Sequence, residues 1–208
     1  MKSKLDEDKI DISNIRDSFN IVLMGDSSVG KTSILERYCN NFFKTEKYTR
    51  KTIEIYKKFI TYSDYSYQLK FWDPPNFMDN CNDSEINMFK NCDGIIYVCS
   101  YDNADSLMHI NTWYQFLTQY IDLSTKEMIL LINKKDIKDK IITEKQIDKK
   151  SKDLRLEYYE ISAKSGENVD KGIKNIVIKL IERCNERSRS LSISDSFGEQ
   201  EKGGCYFF

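Results

Sequence analysis

Histidine and proline are almost missing from these 208 residues: there is one histidine, His109, and two prolines, the adjacent Pro74 and Pro75. A single histidine, with no clustered Cys/His set beside it, argues against a zinc centre. No apolar run approaches the roughly 18 residues of a membrane-spanning helix, so the body is not expected to cross a bilayer. Six cysteines, at 39, 81, 92, 99, 184 and 205, are irregularly spaced, and the first residues form no signal-type apolar stretch. Both features fit a reducing compartment and argue against a disulfide framework. An excess of one charge is also lacking, with 32 basic against 33 acidic residues, so no global field draws in nucleic acid and no nucleic-acid partner is expected. What is present is ordinary globular composition, 40% hydrophobic and 31% charged, in a length that suits one domain with a buried core and short tails.

Residues 1–18 mix Lys, Asp and Glu with isolated apolar residues and read as a flexible arm. From Phe19 short apolar runs alternate with amphipathic stretches, the rhythm of strand and helix units in a mostly parallel sheet. Strands are expected at 19–24, 94–100, 128–133 and 157–162, apolar enough to be covered on both faces. A hairpin of 52–61 and 67–72, turning through Tyr62, Ser63, Asp64 and Ser66, would add an antiparallel edge. Helices are expected at 31–40, 104–120, 143–154 and 169–187; the last carries Val169, Ile173, Ile176, Ile178, Leu180 and Ile181 on a broad apolar face. Residues 188–208, with Ser188, Ser190, Ser192, Ser194 and Ser196 at alternate positions, have the composition of a flexible linker.

The first strand runs into Gly25-Asp26-Ser27-Ser28-Val29-Gly30-Lys31-Thr32, which fits G-x-x-x-x-G-K-[ST] between a strand and a helix. The chemistry follows from charge. Glycines at both ends let the backbone curl until successive N–H groups face phosphate oxygens, and the helix N-terminus adds its positive dipole end. Lys31 would neutralise the outer phosphates and the Thr32 hydroxyl would ligate Mg2+. Alone, the loop specifies only nucleotide phosphate.

Two later segments narrow the base. Asn133-Lys134-Lys135-Asp136 and Ser162-Ala163-Lys164 each follow the C-terminal end of an expected strand, the rim at which open α/β sheets bind ligands. A carboxylate at Asp136 can accept from the N1–H and exocyclic amine of guanine, a pattern adenine does not offer. A buried Asp136 left without those donors would be costly, which makes the selection sharp.

In this order the motifs resemble the G boxes of Ras-superfamily small GTPases, over roughly residues 19–187. Phe71-Trp72-Asp73, the stretch from Phe89 to Val98 and the stretch from Glu160 to Val169 look most like Rab proteins. The fold so implied is the P-loop GTPase (G) domain, an α/β fold with a six-stranded, mostly parallel sheet, one antiparallel edge strand and helices on both faces. The cofactors implied are GTP or GDP with Mg2+. By position the resemblance gives the phosphate loop through Ser33 to the phosphates, Asn133 and Asp136 to the base, Lys134 to a place along the nucleotide, and the Ala163 amide, between Ser162 and Lys164, to the guanine oxygen. Phe43 falls where the family sets an aromatic edge against guanine, and ordinary core packing explains it as well. The partners implied are an exchange factor, an activating protein, effectors and a prenyl-binding carrier, around a monomer.

The switch segments depart from that pattern. Thr52 and Thr49 compete for the first-switch threonine that ligates Mg2+; Thr52 is favoured because Thr52-Ile53-Glu54-Ile55 leads into a strand, although ungapped spacing puts Arg50 there and the choice needs a shortened hairpin. Where Rabs read D-T-A-G-Q, this chain reads Asp73-Pro74-Pro75-Asn76-Phe77. Asp73 keeps the implied Mg2+ contact, Asn76 stands for the glycine that meets the γ-phosphate, and Phe77 stands for the glutamine that orients water. A phenyl ring cannot hydrogen-bond a nucleophilic water, and paired prolines stiffen the segment, so slow hydrolysis and a muted rearrangement are expected. The ending Cys205-Tyr206-Phe207-Phe208 fits C-a-a-X with a terminal residue that points to geranylgeranyl transfer, with no polybasic cluster before it. The expectation is a Rab-like switch in vesicle traffic on the cytoplasmic face of endomembranes or the plasma membrane. A poorly switching GTP-loaded scaffold is the alternative, and a small-metabolite phosphotransferase lacks the clustered arginines it would need.

Overall fold

The structure, a computed structural model, describes residues 5–6, 14–45, 52–75 and 81–198. Its strands are β1 (Leu5–Asp6), β2 (Ile15–Met24), β3 (Glu54–Tyr62), β4 (Tyr65–Asp73), β5 (Gly94–Ser100), β6 (Glu127–Asn133) and β7 (Glu157–Glu160). Its helices are α1 (Lys31–Asn40), α2 (Asp83–Lys90), α3 (Ala104–Met108), α4 (Ile110–Thr118), α5 (Glu144–Leu154) and α6 (Val169–Gly198). They form one sheet in the order β1-β3-β4-β2-β5-β6-β7. The six long strands are the six expected, parallel except for β3, which runs antiparallel to β4.

Every residue of β5 is buried, as its uninterrupted apolar run requires of a central strand. Strand alternation then divides the core. Phe19, Ile21 and Leu23 of β2 face a cluster with Ile34 and Leu35 of α1 and Ile173, Ile176 and Ile181 of α6. Val22 and Met24 face the other way, onto Phe89 of α2, Trp113 of α4 and Ile147 of α5. Each fully buried Ile or Leu contributes about 1.5–3 kcal/mol relative to exposure, so the two clusters hold the sheet between its helices.

Several boundaries differ from the sequence expectation. β2 starts at Ile15, because Ile15 to Phe19 pair with Ser66 to Leu69, and Leu5–Asp6 pairs with Tyr62 and Thr61; parts of the presumed arm are therefore strand. Outside β3 there is thus a short extra strand, so β3 is not the outermost. The hairpin is longer than expected and turns on Ser63 and Asp64 alone, both with positive φ. β7 stops at Glu160, since Ile161 N–H and carbonyl go to Ile132 and Lys135 across a loop. The helix expected over 104–120 breaks at His109. α6 runs on to Gly198, through much of the presumed linker. α2, which the sequence pattern did not indicate, is started by a capping box in which the Asn82 side chain accepts from Glu85 N–H and the Glu85 side chain from Asn82 N–H.

Candidate functional site

The C-terminal ends of β2, β4, β5, β6 and β7 lie along one rim, and the motif residues gather there. Sterics fix the phosphate loop between β2 and α1. Gly25 has φ 149°, and a Cβ there would stand 2.2 Å from the Val98 carbonyl oxygen of β5. Gly30 has φ 97°, and a Cβ there would stand 2.3 Å from Asn133 Nδ2. No side chain fits at either place, so the loop lies flat against β5 and β6 with its backbone exposed inward.

Lys31, the first residue of α1, reaches back over this loop and donates to the Gly25 carbonyl at 2.6 Å and the Asp26 carbonyl at 2.8 Å. Burial holds its ammonium down to about 8, against the pull of Asp73 and Asp26. The Thr32 hydroxyl donates to Asp73 Oδ2, and Asp73, at the end of β4, is buried. A hydroxyl and a carboxylate brought together at the loop are hard oxygen donors of the kind Mg2+ takes, so the residues fit that ion. The glycine-framed cradle and its buried lysine likewise fit phosphate. Thr52 is exposed at the bend before β3, away from strand pairing. Thr49, Arg50, Asn76, Phe77 and Cys205 lie outside the described residues.

Asn133 joins the two halves of the site. Its Nδ2 donates to the Val29 carbonyl of the phosphate loop at 2.9 Å, and its Oδ1 accepts from the Ala163 amide at 3.0 Å. The Ala163 amide is thus held by Asn133 in this structure. Ser162 donates to Asp136 Oδ1 at 2.5 Å, aligning the carboxylate. Asp136 itself is exposed, contrary to the buried acid assumed from the sequence, so the penalty for lacking donors arises only when a bound base covers it. Lys134, at φ 65°, pairs with Asp102 at 2.7 Å beside the rim. Phe43 is half-buried against the core with Cys39 and Tyr56, which meets the packing alternative, while its neighbour Phe42 is 50% exposed.

Three residues that the sequence reading passed over shape the site. The Arg37 guanidinium donates to the carbonyls of Ala163 at 2.9 Å and Lys164 at 2.8 Å, bracing the base-side loop from α1. Asp26 is held from outside by His109 at 2.7 Å and by Trp113 Nε1 at 3.0 Å. Only the rarity of histidine could have drawn attention to His109; nothing in the local pattern marked Arg37 or Trp113.

A family model described as the Ras family matches residues 20–182. The chain belongs to the Ras family. Among curated relatives, it is 30% identical over 157 residues to Ras-related protein RabG2 of Dictyostelium discoideum, covering 74% of this chain and 78% of that protein. It is 24% identical over 188 residues to Ras-related protein Rab-9A of Mus musculus, at 88% and 92% coverage. To Ras-related protein Rab-27B of Rattus norvegicus it is 24% identical over 183 residues, at 81% and 84% coverage. This Rab-like small GTPase is therefore a member of a family of GTP-binding switches that carry GTPase activity and bind GTP or GDP with Mg2+. Among the described residues, no helix is long and apolar enough to cross a membrane.

Proposed function

We propose that this Rab-like GTPase is a membrane-anchored switch in vesicle traffic whose intrinsic hydrolysis is slow. The observation that supports the nucleotide part is Asn133, which ties the phosphate loop to the loop at Ala163 through Val29 and Ala163. In this reading the loop from Gly25 to Ser33 takes the phosphates, Asn76 stands in sequence for the glycine that would meet the outermost one, and Asn133, Lys134 and Asp136 with the Ser162-Ala163-Lys164 loop take the base. Thr32, Thr52 and Asp73 would hold Mg2+, whose contribution when bound is to neutralise charge on the phosphates. The chain's own part is to position: Lys31 neutralises charge from inside the loop, and Arg37 steadies the carbonyls behind the base.

Slow turnover is supported by the sequence after Asp73. Pro74 is buried, Pro75 follows it, and Phe77 brings no donor or acceptor for water. The same observation favours the second reading, a GTP-loaded scaffold that recruits effectors without a normal cycle. Anchoring rests on Cys205 in its C-a-a-X setting, with a prenyl-binding carrier and protein partners directing the membrane, since one lipid chain alone is reversible.

Three measurements test this. Protein purified in Mg2+ should carry GDP or GTP; finding adenine nucleotide instead, or no preference between the two bases, removes the assignment. Single-turnover GTP hydrolysis should run below the roughly 10⁻⁴ per second of intrinsic Ras. A rate at or above that removes the slow-turnover claim while leaving the nucleotide assignment standing, and equal effector affinity in the GDP and GTP states would favour the scaffold.

A further inference from the structure

We propose that His109 is a positioning residue for the phosphate loop, acting through Asp26, and that nucleotide is released more slowly when the imidazole carries a second proton. The inference rests on the reading of that loop as the nucleotide site.

Asp26 is the second residue of the loop, and its carbonyl and both carboxylate oxygens are held. Its carbonyl accepts from Lys31 inside the cradle at 2.8 Å. Outside, Oδ1 accepts from Trp113 Nε1 at 3.0 Å and Oδ2 meets His109 Nδ1 at 2.7 Å. Because a carboxylate only accepts, the geometry assigns a proton to Nδ1. The two outer partners differ in kind. Trp113 is 2% exposed and carries no charge, so it is a fixed post. The His109 side chain is 45% exposed, open to exchange of protons with water, and stands at the break between α3 and α4, with its N–H on the Asp105 carbonyl at 2.8 Å and its carbonyl on Trp113 N–H at 2.9 Å. Those two backbone bonds hold the main chain of His109 through the break, and the ring itself is held by Asp26.

Histidine is the side chain that ordinarily changes charge between pH 5 and 8. With one proton the ring donates a neutral hydrogen bond to Asp26; with two, the bond becomes charge-assisted and stronger, and a positive charge stands beside a loop built for phosphate. Among the described residues, the ionisable groups tied to this pair are Lys31 on the loop, Asp105 one turn earlier on the helix, Asp73 from β4 acting on Lys31, and Cys99 from β5 acting on Asp26. Burial keeps the Cys99 thiol up at about 12 and Lys31 stays charged below about 8, so neither changes state in the acidic window. His109 is the only histidine in the chain, so a histidine-dependent response has one source.

The test is release of a fluorescent GDP analogue from the full-length protein between pH 5.5 and 7.5, compared with His109→Asn, which keeps a donor and cannot be charged. The phosphates of the nucleotide titrate in this range too, so the readout is the difference between the two proteins at each pH. Release from the unsubstituted protein should slow by about two- to fivefold on acidification beyond any change in the variant, the range expected for a partly exposed charge pair. Trp113→Phe should release faster throughout yet keep the pH response, and combining His109→Asn with Asp26→Asn should add nothing to Asp26→Asn alone. Parallel profiles for the unsubstituted protein and His109→Asn, or additive single effects, overturn the inference while leaving the nucleotide site intact. Failure of the unsubstituted protein to bind the analogue at all overturns both.

Discussion

Lys31 shows how one residue can carry a pH dependence of its own. Burial lowers its ammonium to about 8 from an ordinary 10.5, so in the ligand-free fold it loses its proton more readily than in the unfolded chain. The sign follows: between about 8 and 10.5 the unfolded chain binds more protons, so this group makes the ligand-free fold more stable as pH rises through that interval. Phosphate binding wants the opposite state, since a bound phosphate holds Lys31 charged. GDP affinity should therefore be flat with respect to Lys31 from pH 7 to about 8 and then fall, by up to about tenfold per pH unit, as binding comes to require proton uptake. Competition binding from pH 7 to 9 reads this directly. Lys31→Gln should bind more weakly at pH 7 and lack the additional fall; an unchanged slope in the variant would remove Lys31 as its origin.

At the scale of elements, the phosphate loop and α1 were legible because a strand, two spaced glycines and Lys-Thr leave little freedom, and the expected bounds of α1 and of β5 are those observed. The base-side residues were legible as motifs, but their mutual contacts were not, since a sequence does not show that Asn133 reaches 104 residues back to Val29. α2 was missed for a local reason. Its eight residues hold Met88 and Phe89 as buried apolar residues, too few to show a period, and the signal lies in the Asn82-x-x-Glu85 cap. Replacing Asn82 with Ala removes one half of that capping box and should cost about 0.5–2 kcal/mol in urea unfolding. A loss within error would mean that packing of Met88 and Phe89 alone holds α2. β1 was missed because two residues pairing at an edge leave no pattern, and the break at His109 because apolar spacing continues across it.

For the whole molecule, the sheet brings the phosphate loop, Asp73, Asn133 and Ser162 to one rim, while α6 starts beside that rim and carries the chain away from it. Membrane attachment and nucleotide binding should therefore separate under mutation. Cys205→Ser should leave GDP affinity unchanged and move the protein from the membrane to the supernatant fraction of a cell lysate. Unchanged partition would end the anchor proposal, and a change in nucleotide affinity would contradict the separation. The two hydrophobic clusters on opposite faces of the sheet add a further expectation of cooperativity, because both are lined by the same strands, β2, β5 and β6.

The helical continuation of α6 past Arg187 also governs distance. Its backbone remains helical from residue 188 through Gly198, roughly 17 Å of stiff rod at about 1.5 Å per residue. Only positions 199–204 then separate that rod from Cys205. A lipid attached there would hold the nucleotide-binding body on a mast rather than a slack leash. The volume it sweeps over the bilayer would be narrower, and a docking partner would have to stand at a matching height.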